Sequence, residues 1–174
     1  MQTQTNIKKT AKSAAVTVIF IVAYFIHLPL SAFTYQFSHG NIFHLIANVI
    51  PLFYLLKSAN DNKTFFHFII AGYIISVIAY CLPLTAYRFN IVGASGILYA
   101  IYGIYLALRY RSFRNKEFYT SVNISTLVFS LSFGFFIPNV SGLIHLYSWI
   151  TGITYGIILV EINKIKRNIE MFHN

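Results

Sequence analysis

Apolar runs of nearly bilayer-crossing length, each cut off by a short polar or charged break, constrain this chain more than any single motif. They lie near 13–33, 41–57, 65–84, 92–109, 120–138 and 142–162. A helix needs about 20 mostly apolar residues to cross the hydrocarbon layer. The breaks read "SHGN" at 38–41, "KSANDNK" at 57–63, "AYRFN" at 86–90, "RYRSFRNKE" at 109–117 and "PNVSG" at 138–142. Only 10% of the residues are charged and mean hydropathy is +0.64, against a charged fraction of about 25% in soluble domains. The expectation is a single all-α membrane domain over 1–174: a bundle of six transmembrane helices with no internal repeat, linker or second domain.

The sign of the charge does not redirect this reading. Thirteen Lys+Arg against four Asp+Glu could serve nucleic acid only on a polar surface, and here the cations occupy the breaks between apolar runs. No nucleic-acid partner is expected; the partner is the lipid bilayer. Lys8, Lys9, Lys12, Lys57, Lys63, Arg109, Arg111, Arg114, Lys116, Lys164, Lys166 and Arg167 fall on one side of the six-span arrangement, leaving only Arg88 on the other. By the positive-inside rule both termini are cytoplasmic. The basic start, apolar stretch and "LPLSAF" also fit a signal peptide cleaved after Ala32, an alternative that leaves the later spans oriented the same way. With Cys81 the lone cysteine, neither an intrachain disulfide nor a thiolate metal cluster is expected.

Topology then aligns three polar residues. Spans two, four and six run from outside to inside, and His44, Ser95 and His145 each lie a few residues in, roughly 5–10 Å below the outer boundary at 1.5 Å per residue. Polar groups in hydrocarbon are costly unless they face one another or water. His44 and Asn48 share a face of span two. Ser95, Tyr99 and Gly103 form a stripe on span four, and His145, Ser148, Gly152 and Gly156 form one on span six. Small residues on both helices allow close backbone approach, bringing a serine hydroxyl within ~3 Å of an imidazole nitrogen, the reach of proton transfer.

Those residue types point to nucleophilic catalysis. A serine hydroxyl needs a base to take its proton, and His145 is the best candidate, because histidine as a residue type ordinarily titrates near neutrality. Asp61, Glu117, Glu161 and Glu170 all lie on the cytoplasmic side, so the arrangement is a Ser–His dyad without a carboxylate, metal or cofactor. Tyr99 is placed to stack on the imidazole. His44, Asn48 and the Ser95 N–H are placed to donate to an oxyanion, a role worth ~3 kcal/mol per donor. Taken singly, "GASG" is a packing groove, Asn48 an interhelical hydrogen bond, His44 a satisfied interior histidine, and Gly152 and Gly156 are packing. Their shared depth is what favours chemistry.

The same residues carry a family resemblance. "HGNIFHLIAN" matches H-x4-H-x3-N with His39, His44 and Asn48. "GASGILYAIYG" supplies Gly93, Ser95, Gly96, Tyr99 and Gly103, and "HLYSWITG" is close to H-x2-G-x3-G. In this order, on these three spans, the chain resembles the rhomboid family of intramembrane serine proteases. The resemblance implies Ser95 as nucleophile and His145 as general base. It assigns His44 and Asn48 to the oxyanion and Tyr99 to the support of His145.

The substrate so implied is a transmembrane helix of another membrane protein, cut near the outer face after lateral entry between spans two and five. "SLSFGFFIPN" at 130–139 is the expected gate. Ser148 stands where the motif has its first glycine, which implies slightly looser packing against Gly96. The first external loop, roughly His27 to Gly40, is short and lacks a Trp-Arg pair, a departure that bears on substrate access and lateral gating. With no soluble domain at either end and no organelle-targeting segment, a minimal six-helix core in a bacterial cytoplasmic membrane is expected. The alternative function is a non-catalytic relative that binds transmembrane helices for sorting or quality control, for which an intact Ser95/His145 pair has no chemical use. A transporter would need a polar path across the whole bilayer, and the polar residues cluster in the outer half.

Overall fold

A computed structural model describes residues 2–59, 61–82, 91–112 and 141–172. Its helices are α1 (Gln2–Ile26), α2 (Ile42–Lys57), α3 (Asn62–Cys81), α4 (Ser95–Ser112) and α5 (Gly142–Phe172), with a 3-10 turn at Tyr35–Phe37. Among the described residues there is no strand. The sixth apolar run therefore corresponds to α5. The fifth run, near 120–138, and the gate expected at 130–139 lie outside the described residues.

Local chemistry sets the helix ends. His27 takes a left-handed conformation, φ 53°, just after α1, and Pro29 follows, a pairing that stops a helix. Asn41 caps α2 by accepting the His44 N–H at 2.9 Å, one of the first-turn donors that no helical carbonyl can reach. Asp61 caps α3, accepting the Thr64 N–H and the Thr64 hydroxyl, each at 2.8 Å. Those bonds to Thr64 hold its carboxyl below the usual range.

The helices turn their apolar residues outward as well as inward. Phe66, Ile70, Ile74 and Ile78 form an exposed stripe on α3, and Phe43, Ile46, Ile50 and Tyr54 form one on α2. Stripes of this size facing water would be an aggregation hazard; facing lipid they are solvated. Three segments, Asn6–Ile26, Asn62–Cys81 and Gly142–Ile165, are long and apolar enough to cross a membrane. Helix α2, with 16 residues, spans only about 24 Å. By length and composition these helices are those of an integral membrane protein.

Helix α4 is the centre of the bundle. It packs against α5, α3 and α2, while α1 lies on α2. Ala100, Ile101 and Ile104 have no exposed surface at all, so most of α4 is buried against its neighbours, while Leu98, Tyr102 and Tyr105 are half-buried. Paired positions give the directions. Ser95 meets His145 and Ala100 meets Gly152, so α4 and α5 run parallel; Gly72 meets Ile101 and Ser76 meets Gly96, so α3 runs against α4.

The α4–α5 contact is backbone on backbone. A Cβ on Gly152 would strike the Ala100 carbonyl oxygen and lie 3.1 Å from its carbon; one on Gly103 would strike the Trp149 carbonyl and lie 2.8 Å from the Ile153 nitrogen. Backbone cannot swing aside as a flexible side chain can. Gly152→Val should therefore cost about 1–3 kcal/mol, the usual penalty for overpacking. Thermal unfolding in detergent checks this: a lowered midpoint is expected, and an unchanged midpoint would mean that the helices do not approach at this point.

Candidate active site

Everything polar near the start of α4 converges on one short extended segment, Ile91–Ala94, that leads into Ser95. Ser95 is the first residue of the helix, a few residues into the apolar run near 92–109. The Ala94 carbonyl accepts the Leu98 N–H at 3.0 Å and so closes the first turn. The Ser95 N–H belongs to the first-turn donors that have no intrahelical partner, at the end of the helix that carries partial positive charge. It is free to stabilise negative charge beside its own hydroxyl.

The segment is held by the loop before α2. The Gly93 N–H donates to the Tyr35 carbonyl at 3.0 Å, and the Ala94 N–H donates to His39 Nε2 at 3.3 Å. For His39 to accept there, its ring must be neutral; burial and the adjacent His44 push its pKa down to about 4. The Tyr35 hydroxyl, buried beneath Gly96, bonds Ser76 Oγ at 2.5 Å and the Ser76 carbonyl at 3.1 Å, and its ring stacks on Tyr80. A Cβ on Gly96 would lie 2.7 Å from the Tyr35 oxygen and would strike Ser76 Oγ, with Ile144 at 3.2 Å. The nearest neighbours of Gly96 are thus Tyr35, Ser76 and Ile144. Ser148 is wholly buried further along α5.

The expected pair is in contact. His145 Nε2 lies 2.7 Å from Ser95 Oγ, and His145 is 4% exposed. The Tyr99 ring stacks on the imidazole, with centroids 4.4 Å apart and planes 27° apart, fixing the ring plane from one side. Two helices running parallel at backbone contact are what make this reach possible. Gly156 continues the close approach, meeting Ala107 and the Ile104 backbone.

His44 and Asn48 border the same segment from α2. Gly93 has φ 118°, and a Cβ there would lie 2.8 Å from both Cε1 and Nε2 of His44 and 3.5 Å from Asn48 Nδ2. Both side chains therefore press against the backbone two residues before the serine. Asn48 Nδ2 already donates to the His44 carbonyl at 2.8 Å, leaving its second amide hydrogen for any further acceptor. His39 and His44 meet edge to face at 5.3 Å.

Three contributors escaped the sequence reading. Tyr35 is one of thirteen tyrosines and lies in the loop before α2, with no signal of its own; Ser76 sits in an apolar run, where a mid-span hydroxyl with no stated partner was the only signal. His67, given no role, stacks on Tyr155 and meets its hydroxyl at 3.0 Å. That pair ties α3 to α5 well away from Ser95.

Gly93 makes a sharp test of the way α2 braces the serine. Gly93→Ala should be destabilising by about 1–3 kcal/mol for the backbone conformation alone, with a further loss from the collision with His44. Thermal unfolding of Gly93→Ala, His44→Ala and the double variant separates the two. The double variant should lose less than the sum of the singles; strict additivity would mean that His44 does not rest on Gly93.

The family model described as Rhomboid domain matches residues 27–162, a range that contains every residue of this site. No curated protein and no solved structure matches the chain. The matched range covers most of the chain and runs from the end of α1 into α5, so the chain belongs to the rhomboid family.

Proposed function

We propose that this protein is a serine endopeptidase that cleaves transmembrane segments of other membrane proteins near the outer face of the bilayer. The observation that carries the reading is the 2.7 Å contact between Ser95 Oγ and His145 Nε2, in a chain of a family whose members are generally intramembrane serine proteases. His145 Nε2 takes the hydroxyl proton as Ser95 Oγ attacks the scissile carbonyl carbon. Charge builds on the carbonyl oxygen, where the Ser95 N–H, His44 and the free Asn48 hydrogen are the nearest candidate donors. His145 then returns the proton to the leaving amine, and water attacks the acyl-enzyme by the same route in reverse.

Without a carboxylate partner, orientation of the imidazole falls to packing. Tyr99 on one face and the α5 backbone pressed against α4 hold it, so little reorganisation is needed when the proton moves. The substrate is a helix whose peptide bonds are shielded by their own hydrogen bonding, which favours segments with small residues at the cut and helix-weakening residues beyond. The distribution of basic residues supports cytoplasmic termini and a site opening on the opposite side.

Co-reconstitution into liposomes with a panel of transmembrane peptides tests this. Wild-type protein should release fragments cut within the outer part of the peptide, and Ser95→Ala should lower the rate by at least about 10³-fold, as loss of a nucleophile does elsewhere. Cleavage that survives Ser95→Ala, or peptides that bind wild type and are never cut, would overturn the proposal.

A further inference from the structure

One face of α5 holds a second polar group that the proposed chemistry leaves unused. Ser148 lies three residues after His145, one turn along the same helix face, where side chains start about 5–6 Å apart. Its hydroxyl is wholly buried and has no hydrogen-bond partner among the described residues; it does not even donate back to the Ile144 carbonyl, the usual resort of a helical serine. The other ring nitrogen of His145, Nδ1, is equally buried and equally without a partner among the described residues. Each such group costs free energy until it is satisfied, and here two of them sit within one turn.

Their chemistry is complementary. With Nε2 accepting from Ser95, the neutral ring must carry its proton on Nδ1, which is then a donor. A serine hydroxyl accepts and donates at once. The two atoms are not in direct contact, and a single water between them would satisfy both. We propose that Ser148 is a positioning residue for His145: its hydroxyl, through one bridging water, receives the Nδ1–H and holds the imidazole in the tautomer that leaves Nε2 free to take the Ser95 proton. In this chain Ser148 thereby occupies the functional place of the missing carboxylate. The role rests on the protease reading for its purpose but not for its detection, because the tautomer can be read without any substrate.

The test uses the full-length protein labelled with 15N-histidine in detergent, with the His145 ring assigned through His145→Gln. Wild type should show the Nδ1–H tautomer. Ser148→Ala and Ser148→Gly should both shift the ring toward a mixture of tautomers and slow phosphonylation of Ser95 by about 3- to 10-fold, the worth of one net hydrogen bond. Two variants of different volume separate the hydroxyl from packing. If Ala and Gly differ from each other in thermal stability while both keep the wild-type tautomer, Ser148 is a packing residue and the inference fails. If wild type is not phosphonylated at all, the protease reading fails, while the tautomer comparison still decides the role of Ser148.

Discussion

The backbone contact between α4 and α5 is the constraint on which the rest depends. Gly103 and Gly152 let two parallel helices meet with carbonyl and amide groups where side chains normally stand. In a bilayer no hydrophobic driving force pushes helices together, so this contact must be stabilised by dispersion and by the close fit itself. Its consequence is felt one to two turns away. At ordinary helix separation, the short side chain of Ser95 would not reach an imidazole on the neighbouring helix. At this separation the two atoms are 2.7 Å apart, with the imidazole buried and the serine half-buried.

A second set of forces works from the outside. The loop between α1 and α2 reaches the nucleophile through consecutive backbone donors, the N–H groups of Gly93 and Ala94, which bond Tyr35 and His39. Tyr35 also fixes Ser76 on α3, so a single residue connects the loop, the third helix and the segment before the serine. The site is therefore held from three sides: α5 through packing, α2 through His44 and Asn48 against Gly93, and the loop through hydrogen bonds. Rigidity of this kind suits a dyad in which no carboxylate meets the base among the described residues.

Some of this could be read in the residues and some could not. Each apolar run among the described residues overlaps a helix, because the apolar requirement of a bilayer is severe, though α1 begins and ends earlier than the run near 13–33. The closeness of Ser95 and His145 could be anticipated by counting residues along parallel spans. Hydropathy does not mark where a helix begins inside an apolar run: Ile91–Ala94 is apolar but not helical. Gly96 also meets Tyr35 and Ser76, contacts with a loop and with α3 that no single-sequence pattern encodes. Tyr35 was invisible for the same reason: its importance lies in its carbonyl and its hydroxyl together, and a backbone carbonyl has no signature in sequence.

The central claim is that helix proximity makes Ser95 nucleophilic. Its most direct test is the intact mass of purified protein after exposure to a fluorophosphonate, with the adduct located by peptide mapping. The account predicts one adduct, on Ser95, absent in His145→Ala and formed at least several-fold more slowly in folded Gly152→Ala, where the helices are forced apart. An adduct on another serine, or one on Ser95 that forms at the same rate in His145→Ala and Gly152→Ala, would contradict it.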